Sequence, residues 1–389
     1  MTILDAALPA FLGDLAGDAE VAAEIDGLAQ LAAMLRVEAA LADVEAELGL
    51  IPSDAPPAIA RAAERLAGDL DPGELAAAAA RDGVVVPELV RRLRAAAGSA
   101  GDYVHHGATS QDIVDSAWAC CLSRALCVME ARVQRIGDAL ADLAETHRVT
   151  PTLARTRMQQ AAPTSFGLKA AQWLAPLIAH RRALSRLRAA ELCVSLGGAA
   201  GTQAALGERA RAVEEGLAAR LGLAVAPLPW HVRREGMVAI GATLASCAAS
   251  AGKTAQDLLL MGQNEVGEVS FADAGGSSAM AHKRNPVRAE AVLALARHAG
   301  AQQAALQAAA LPIHERDGAA WLQEQLAWGP LLLAVGAALA GAERMLETLE
   351  VHADRLRANL KAAPEPVRAG GAGEATAMID RTLAAWRAG

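Results

Sequence analysis

The chain has 389 residues and is 53% hydrophobic but only 3% aromatic, with alanine and leucine predominating. Its formal net charge of −8 argues against a nucleic-acid partner. This composition is typical of long packed helices and not of a β-sandwich or barrel, so we predict an all-α fold.

The cysteine pattern and the apolar segments exclude further classes of protein. The five cysteines form neither a CxxC pair nor a Cys/His spacing, so we expect no metal site and reduced, buried thiols in a cytoplasmic protein. No signal peptide is expected, because the N-terminus has no basic flank. The apolar segment 331–340 is too short to span a membrane, so no membrane partner is expected.

Residues 1–104 are predicted to form a first, smaller helical domain. Apolar residues at helical spacing predict a helix over residues 21–48. Residues 84–86 are the nearest approach to a strand in the chain, although the run is short.

A polar stretch at residues 101–112 leads directly into a long helix, predicted from about Asp112 to His147. Thr109 and Ser110 stand at the start of this helix, where free N–H groups and the helix dipole favour a bound carboxylate. Either residue could equally be an ordinary N-cap, and the spacing alone leaves both interpretations open.

Four further long helices are predicted downstream. One runs from Ser165 to about Glu191 and one from after His231 to about Met261, followed by helices over 287–310 and 320–349. We therefore predict that residues 105–350 form a central bundle of five long helices with polar segments at its junctions. Residues 351–389 are predicted to form a reduced C-terminal helical segment.

The most distinctive stretch is the loop at residues 275–286, Gly-Gly-Ser-Ser-Ala-Met-Ala-His-Lys-Arg-Asn-Pro. A serine there could take a proton next to a carboxylate, while the lysine and asparagine hold the developing negative charge. An acidic protein can still bind an anion where cations are local to the site. The candidates are Lys283, Arg284, Arg233, Arg234 and Arg316.

This loop resembles the signature loop of the fumarase/aspartase superfamily, usually written Gly-Ser-Ser-x-Met-Pro-x-Lys-x-Asn-Pro, with Ala281 in place of the family proline. The resemblance implies that Ser277 is the catalytic base and that Lys283 and Asn285 stabilise the aci-carboxylate. Glu290 is expected to orient them. Spacing alone does not separate Ser277 from Ser278 as the base.

The same resemblance implies the substrate-binding residues. Superfamily members carry a Thr-Ser-x-Asp element that contacts substrate, and His105 matches the histidine of that motif. Arg157 stands where much of the superfamily has a proton-transferring histidine, and because an arginine stays protonated we expect it to clamp a carboxylate. The remaining expected contacts are Gln159, Ser278, Met280, Arg284, His231 and Arg316.

Several stretches are most similar to the bacterial 3-carboxy-cis,cis-muconate cycloisomerase branch of the superfamily, namely 105–112, 159–161, 197–202, 228–231 and 314–316. This similarity implies interconversion of 3-carboxy-cis,cis-muconate and carboxymuconolactone in protocatechuate breakdown, without cofactor or metal. The superfamily further implies a small polycarboxylate substrate and a homotetramer with active sites built from three subunits.

Two other functions compete with this one. An adenylosuccinate lyase or another substituted-succinate lyase releasing fumarate would share the Lys-Arg-Asn-Pro form of the loop, but the former normally needs the histidine that is Arg157 here. A non-catalytic structural protein would have no need for Ser277, Lys283 and Asn285 together.

Overall fold

The computed structural model describes residues 9–280, 282–369 and 373–389. Its N-terminal part is a group of short and medium helices joined by 3₁₀ turns at Ala10–Leu12, Pro72–Leu75 and Gly98–Tyr103. The helices are α1 (Gly13–Ala16), α2 (Ala19–Ile25), α3 (Gly27–Glu47), α4 (Pro56–Asp69), α5 (Ala76–Asp82) and α6 (Val86–Ala97).

One expectation for this part is wrong. The single helix predicted over residues 21–48 is divided between α2 and α3, because Asp26 leaves the helical conformation and accepts the Ala29 N–H at 2.8 Å as an N-cap. Residues 84–86, the nearest approach to a strand in the sequence, form a bend followed by the start of α6, where Pro87 fits the first helical positions.

The centre of the molecule is the predicted bundle of five long helices, and the all-α fold is confirmed. These helices are α7 (Ser110–Thr146), α8 (Phe166–Glu191), α10 (Glu235–Met261), α11 (Val287–Ala308) and α12 (Gly318–Glu347), and the shorter α9 (Ala210–Leu221) follows a 3₁₀ turn at Gly207–Arg209. Their apolar faces form one continuous core that includes the fully buried Phe166 and Trp328. By length and composition α12 could cross a membrane, but most of its apolar stretch is buried, as in a core helix.

Two small antiparallel sheets were not predicted. β1 (Pro151–Thr156) and β2 (Gln159–Ser165) form a hairpin between α7 and α8. β3 (Val269–Phe271) pairs with β4 (Leu349–Val351), which follows α12 directly.

The C-terminal residues pack against the outside of the bundle as α13 (Ala353–Ala362), α14 (Glu365–Arg368) and α15 (Ala375–Arg387). Trp386 lies over Gly137 of α7, where any side chain would collide with its ring, and its Nε1 donates to Asp138 at 2.8 Å. The predicted division at 104/105 and 350/351 stays a prediction. Residues 1–8 and 370–372 of the predicted terminal domains, and Ala281, lie outside the described residues.

The long helices give the bundle two distant ends. We use the term upper end for the end of the bundle that holds the start of α7, residues 195–198 and the starts of α10 and α12. The lower end holds the β1–β2 hairpin, β3, β4 and the loop 275–286. At 1.5 Å per residue, the 37 residues of α7 span about 55 Å between them.

Candidate active site

At the upper end, the start of α7 is built around Asp112. Thr109 is the N-cap, and its N–H donates to Asp112 Oδ2 at 2.9 Å. The Asp112 carboxylate also accepts the Gly197 N–H at 2.7 Å, the Gly198 N–H at 2.9 Å and the Ser195 hydroxyl at 3.3 Å. One side chain therefore fastens the glycine-rich turn to the first turn of the helix.

His231 completes the partners of Asp112. Its Nε2 lies 2.6 Å from Asp112 Oδ1, and both side chains are buried. Burial alone would raise the pKa of Asp112, but the His231 hydrogen bond and charge and the N–H groups of Gly197 and Thr109 hold it below its ordinary value. His231 was predicted to bind substrate; the structure places it behind the first turn of α7, and its role stays a prediction.

Arg316 is the cation that faces the start of α7. Its guanidinium donates to Thr109 Oγ1 at 3.0 Å and to the Gly198 carbonyl at 3.1 Å. Both acceptors are neutral, and among the described residues no carboxylate pairs with Arg316. An exposed guanidinium next to the Thr109 hydroxyl and the free N–H groups of a helix start can bind a carboxylate.

Arg234 is not available for an anion, and its prediction as a local cation for substrate is wrong. It is buried between Asp115, at 2.8 and 3.3 Å, and Glu324, at 2.7 Å, and it lies over the ring of Trp230. Arg233 pairs with Glu235 at 2.6 Å on the surface. Both arginines are therefore paired with carboxylates of this chain, and among the described residues Arg316 is left as the cation that faces Thr109.

The segment before α7 is held by two further buried carboxylates. His105 Nδ1 lies 2.7 Å from Glu38 and His106 Nδ1 lies 2.9 Å from Glu45, both on α3. Burial would lower the pKa of His105, but the hydrogen bond and charge of Glu38 raise it above its ordinary value. Burial raises the pKa of Glu45 to about 7 despite its bond to His106.

At the lower end, the signature loop is closed at its base. Gly275 and Asn285 exchange main-chain hydrogen bonds at 2.8 and 2.6 Å, and Asn285 Nδ2 donates to the Gly276 carbonyl at 2.9 Å. Ser277 Oγ accepts the N–H groups of Ala279 at 3.3 Å and Met280 at 3.2 Å. The loop therefore presents Ser277 in a turn of its own, near the asparagine predicted to act with it.

The other predicted groups of this loop lie at its surface. Ser278, Met280, Lys283 and Arg284 are exposed, and neither cation forms an ion pair within the described ranges. Glu290, in the first turn of α11, is also exposed, and the part of the chain that is described contains no bond from it to Lys283 or Asn285. Its orienting role stays a prediction, and the substitution at Ala281 lies outside the described residues.

Arg157 occupies the tip of the β1–β2 hairpin. Arg157 and Met158 have φ of 49° and 68°, and Met158 is 72% exposed. Gln159 is exposed beside them. Arg155, on the same hairpin, is fixed by the fully buried Glu268 at 2.7 and 2.9 Å. The hairpin thus holds Arg157 away from the core, at the same end as the signature loop.

The predicted site residues therefore form two groups in one chain. The upper end holds His105, Thr109, Ser110, His231 and Arg316, and the lower end holds Arg157, Gln159, Ser277, Ser278, Met280, Lys283, Arg284, Asn285 and Glu290. Sequence reasoning missed the buried carboxylates that hold each group in place, namely Glu38, Glu45, Asp112, Asp115, Glu268 and Glu324. For Asp112 a signal existed, because Thr-x-x-Asp before an apolar run is the pattern of a capping box.

Comparison with known proteins gives a consistent result. A family model described as Lyase matches residues 20–299. The chain is 42% identical over 338 residues to the 3-carboxy-cis,cis-muconate cycloisomerase of Pseudomonas aeruginosa, covering 85% of this chain and 73% of that protein. It is also 42% identical over 360 residues to the nitrosuccinate lyase of Streptomyces davaonensis, covering 87% of this chain and 74% of that protein.

A solved structure extends the comparison to almost the whole chain. The 3-carboxy-cis,cis-muconate lactonizing enzyme from Pseudomonas putida superposes with a TM-score of 0.88 at 30% identity, covering 97% of this chain and 99% of that one. The likeness therefore includes the N-terminal helices and the C-terminal segment as well as the bundle.

Proposed function

Because the chain belongs to the lyase family and is an enzyme of the fumarase/aspartase superfamily, we propose that it interconverts 3-carboxy-cis,cis-muconate and carboxymuconolactone. The observation that carries the proposal is the guanidinium of Arg316 beside Thr109, which forms no ion pair with any described residue and can bind one of the three carboxylates of this substrate. The relatives named for this reaction support the same assignment.

In the lactone-opening direction, Ser277 removes the proton next to a carboxylate. Its oxygen already accepts two main-chain N–H groups, and such donors favour negative charge on the oxygen that gives up its proton. The described part of the chain shows no comparable pair of donors at Ser278. This difference supports Ser277 as the base where the spacing of the two serines left the choice open.

Lys283 and Asn285 then hold the charge that accumulates on the carboxylate as the proton leaves. A cation and an amide donor fixed near that oxygen lower the barrier because they are oriented before the reaction begins. The C–O bond of the lactone breaks on the neighbouring carbon, and the released group is a carboxylate. Since a carboxylate is a weak base, no strong acid is required at position 157, and Arg157 is suited to hold the negative group.

The two groups of site residues belong, in this proposal, to different subunits. Thr109 and Arg316 lie at the opposite end of the bundle from Ser277, about 45 Å away along the 30 residues of α12. A substrate of six carbons in its main chain cannot reach both. We therefore infer that each site combines ends of different chains, and we propose the cytoplasmic homotetramer, with sites built from three subunits, that the superfamily resemblance implies.

A second candidate is a lyase that releases fumarate from a substituted succinate. The nitrosuccinate lyase relative, at the same 42% identity, favours it. The first step would again be proton removal by Ser277, with a different group leaving the neighbouring carbon. An adenylosuccinate lyase is disfavoured because position 157 is an arginine.

Product analysis by proton NMR in D₂O separates the two candidates. The cycloisomerase closes 3-carboxy-cis,cis-muconate to a lactone and adds one deuterium next to a carboxylate, with nothing released. A substituted-succinate lyase leaves that compound unchanged and forms fumarate from a succinate adduct. Absence of both products with the wild-type protein would contradict both candidates.

A further inference from the structure

Two buried glutamates lie on the face of α3 that meets the segment before α7. Glu38 and Glu45 are seven residues apart, so they fall on one face, two turns from each other. Their side chains are 0% exposed. Glu38 binds His105 Nδ1 at 2.7 Å, and Glu45 binds His106 Nδ1 at 2.9 Å.

Main-chain hydrogen bonds do not fix the segment that they bind. In the described parts of the chain, residues 105–108 form no main-chain to main-chain hydrogen bond. His105 also adopts φ of 65°, a left-handed conformation that is unfavourable for a residue with a side chain. An external contact must therefore hold this segment in its observed path.

On its other side the segment packs closely against the rest of the upper end. A side chain on Gly107 would lie 2.5 Å from Leu206, and one on Gly198 would lie 3.3 Å from the Gly107 carbonyl. Arg316 joins Thr109 to Gly198 just beyond. The segment is thus enclosed between α3 and the glycine-rich turn, and any shift of it would move Thr109 relative to Arg316.

We propose that Glu38 and Glu45 are positioning residues: through His105 and His106 they set the position of Thr109 and Ser110, and so the affinity for a substrate carboxylate. This proposal rests on the proposed function of the upper end. It assigns to α3, a helix remote from Ser277, a part in binding substrate. Neither glutamate touches the substrate.

Further charged groups surround the His105–Glu38 pair, and they act in opposite directions on His105. Arg94 and Asp112 face His105 in addition to Glu38, and Arg94 donates to the Val104 carbonyl at 3.0 Å. The second oxygen of each glutamate is buried and has no hydrogen-bond partner among the residues that the structure describes, so each carboxylate depends on its single histidine. Loss of either contact would leave a buried group unpaired rather than transfer it to a new donor.

The test compares Glu38→Leu and Glu38→Gln with Asp18→Asn. Asp18 belongs to a buried ion pair with Arg132, well away from residues 105–108, and so controls for the loss of a buried charge. Amide hydrogen exchange of residues 104–113 is measured without substrate, and steady-state kinetics with 3-carboxy-cis,cis-muconate are measured beside it. The glutamine keeps an acceptor oxygen, so it should rescue most of the effect.

We expect Glu38→Leu to speed exchange in 104–113 and to raise KM roughly tenfold with kcat changed by less than about twofold. Asp18→Asn should leave both unchanged. The proposal would be overturned if exchange in residues 104–113 were unaltered in Glu38→Leu. It would also be overturned if exchange rose equally throughout residues 9–104. If the wild type does not turn over this compound, the proposed function fails, and the exchange data still decide the positioning role.

Discussion

Single carboxylates determine the local order of the upper end, and Asp112 is the one with the most partners. Five donors from three segments converge on it: the N–H groups of Thr109, Gly197 and Gly198, the Ser195 hydroxyl and His231 Nε2. Because its folded pKa is below its ordinary value, the stability it contributes is present above pH 3.8 and is lost as the pH falls further.

Asp112→Asn replaces one accepting oxygen of the carboxylate with an NH₂ group. That group would face the N–H and O–H donors that bind the oxygen in the wild type. We expect the free energy of unfolding at pH 7 to fall by roughly 3 kcal/mol, as when one partner of a buried pair is removed. Denaturant unfolding measures this. The matched control is Asp138→Asn on the same helix, exposed and bonded to Trp386, which should cost less than about 1 kcal/mol. Equal losses in the two variants would contradict this view of Asp112.

Glu45 should make stability depend on pH in the opposite sense. Its pKa is raised by burial from 4.5 to about 7, with His106, Glu38 and His105 as the charged groups around it. The folded protein therefore binds an extra proton between these values, and stability falls as the pH rises from 4.5 to 7 and then levels off. Unfolding of Glu45→Gln across this range should lack that decline, a difference on the order of 3 kcal/mol. If the free energy of unfolding changed with pH in the same way for the wild type and Glu45→Gln, the raised pKa of Glu45 would be contradicted.

At the scale of elements, the β1–β2 hairpin carries Arg157 on a turn whose two residues are unfavourable for its backbone conformation. Arg157 and Met158 both have positive φ, as a two-residue type I′ turn requires, although glycine and asparagine are the residues that favour it. Met158→Gly should therefore raise stability by about 1 kcal/mol and leave KM unchanged. Thr156→Gly, in the adjacent extended strand, is the control and should lower stability in thermal unfolding. Destabilisation by Met158→Gly would contradict the turn assignment.

The long helices could be predicted from the sequence, whereas the strands could not. Helical spacing and the proline or glycine breaks placed the five bundle helices within a few residues of their observed ends. β1 and β2 contain Pro151, Pro163 and several alanines, which have low strand propensity, so only pairing in the folded protein makes them strands. The break at Asp26 was missed because apolar spacing continues across it.

The candidate site was predictable where its residues are adjacent in sequence. The loop 275–286 and the Thr-Ser pair are local motifs. In contrast, His105 meets Glu38 across 67 positions and Arg155 meets Glu268 across 113, and no local pattern encodes such contacts. The same limit explains why Arg234 was expected to face substrate, since its two carboxylate partners come from α7 and α12.

At the scale of the whole molecule, one chain separates Ser277 from Arg316 by most of the length of the bundle. If the sites combine different subunits, two inactive variants should complement each other. We would unfold Ser277→Ala and Arg316→Ala together and refold them as mixed oligomers. These should regain roughly a quarter of wild-type turnover, because about that fraction of sites combines an intact Ser277 from one subunit with an intact Arg316 from another. Each variant refolded alone is the control. No recovery in mixed oligomers would contradict sites shared between subunits.

The most direct measurement of the central claim follows the loss of the conjugated diene absorbance of 3-carboxy-cis,cis-muconate on addition of the enzyme. Ser277→Ala is the matched control, because within the described residues Ser277 Oγ bonds to nothing beyond two main-chain N–H groups of its own loop, and its removal should leave the bundle intact. We predict rapid loss of absorbance with the wild type and a rate lower by at least about a thousandfold with the variant. An unchanged absorbance with the wild type would contradict the cycloisomerase assignment, and equal rates for the two proteins would contradict Ser277 as the base.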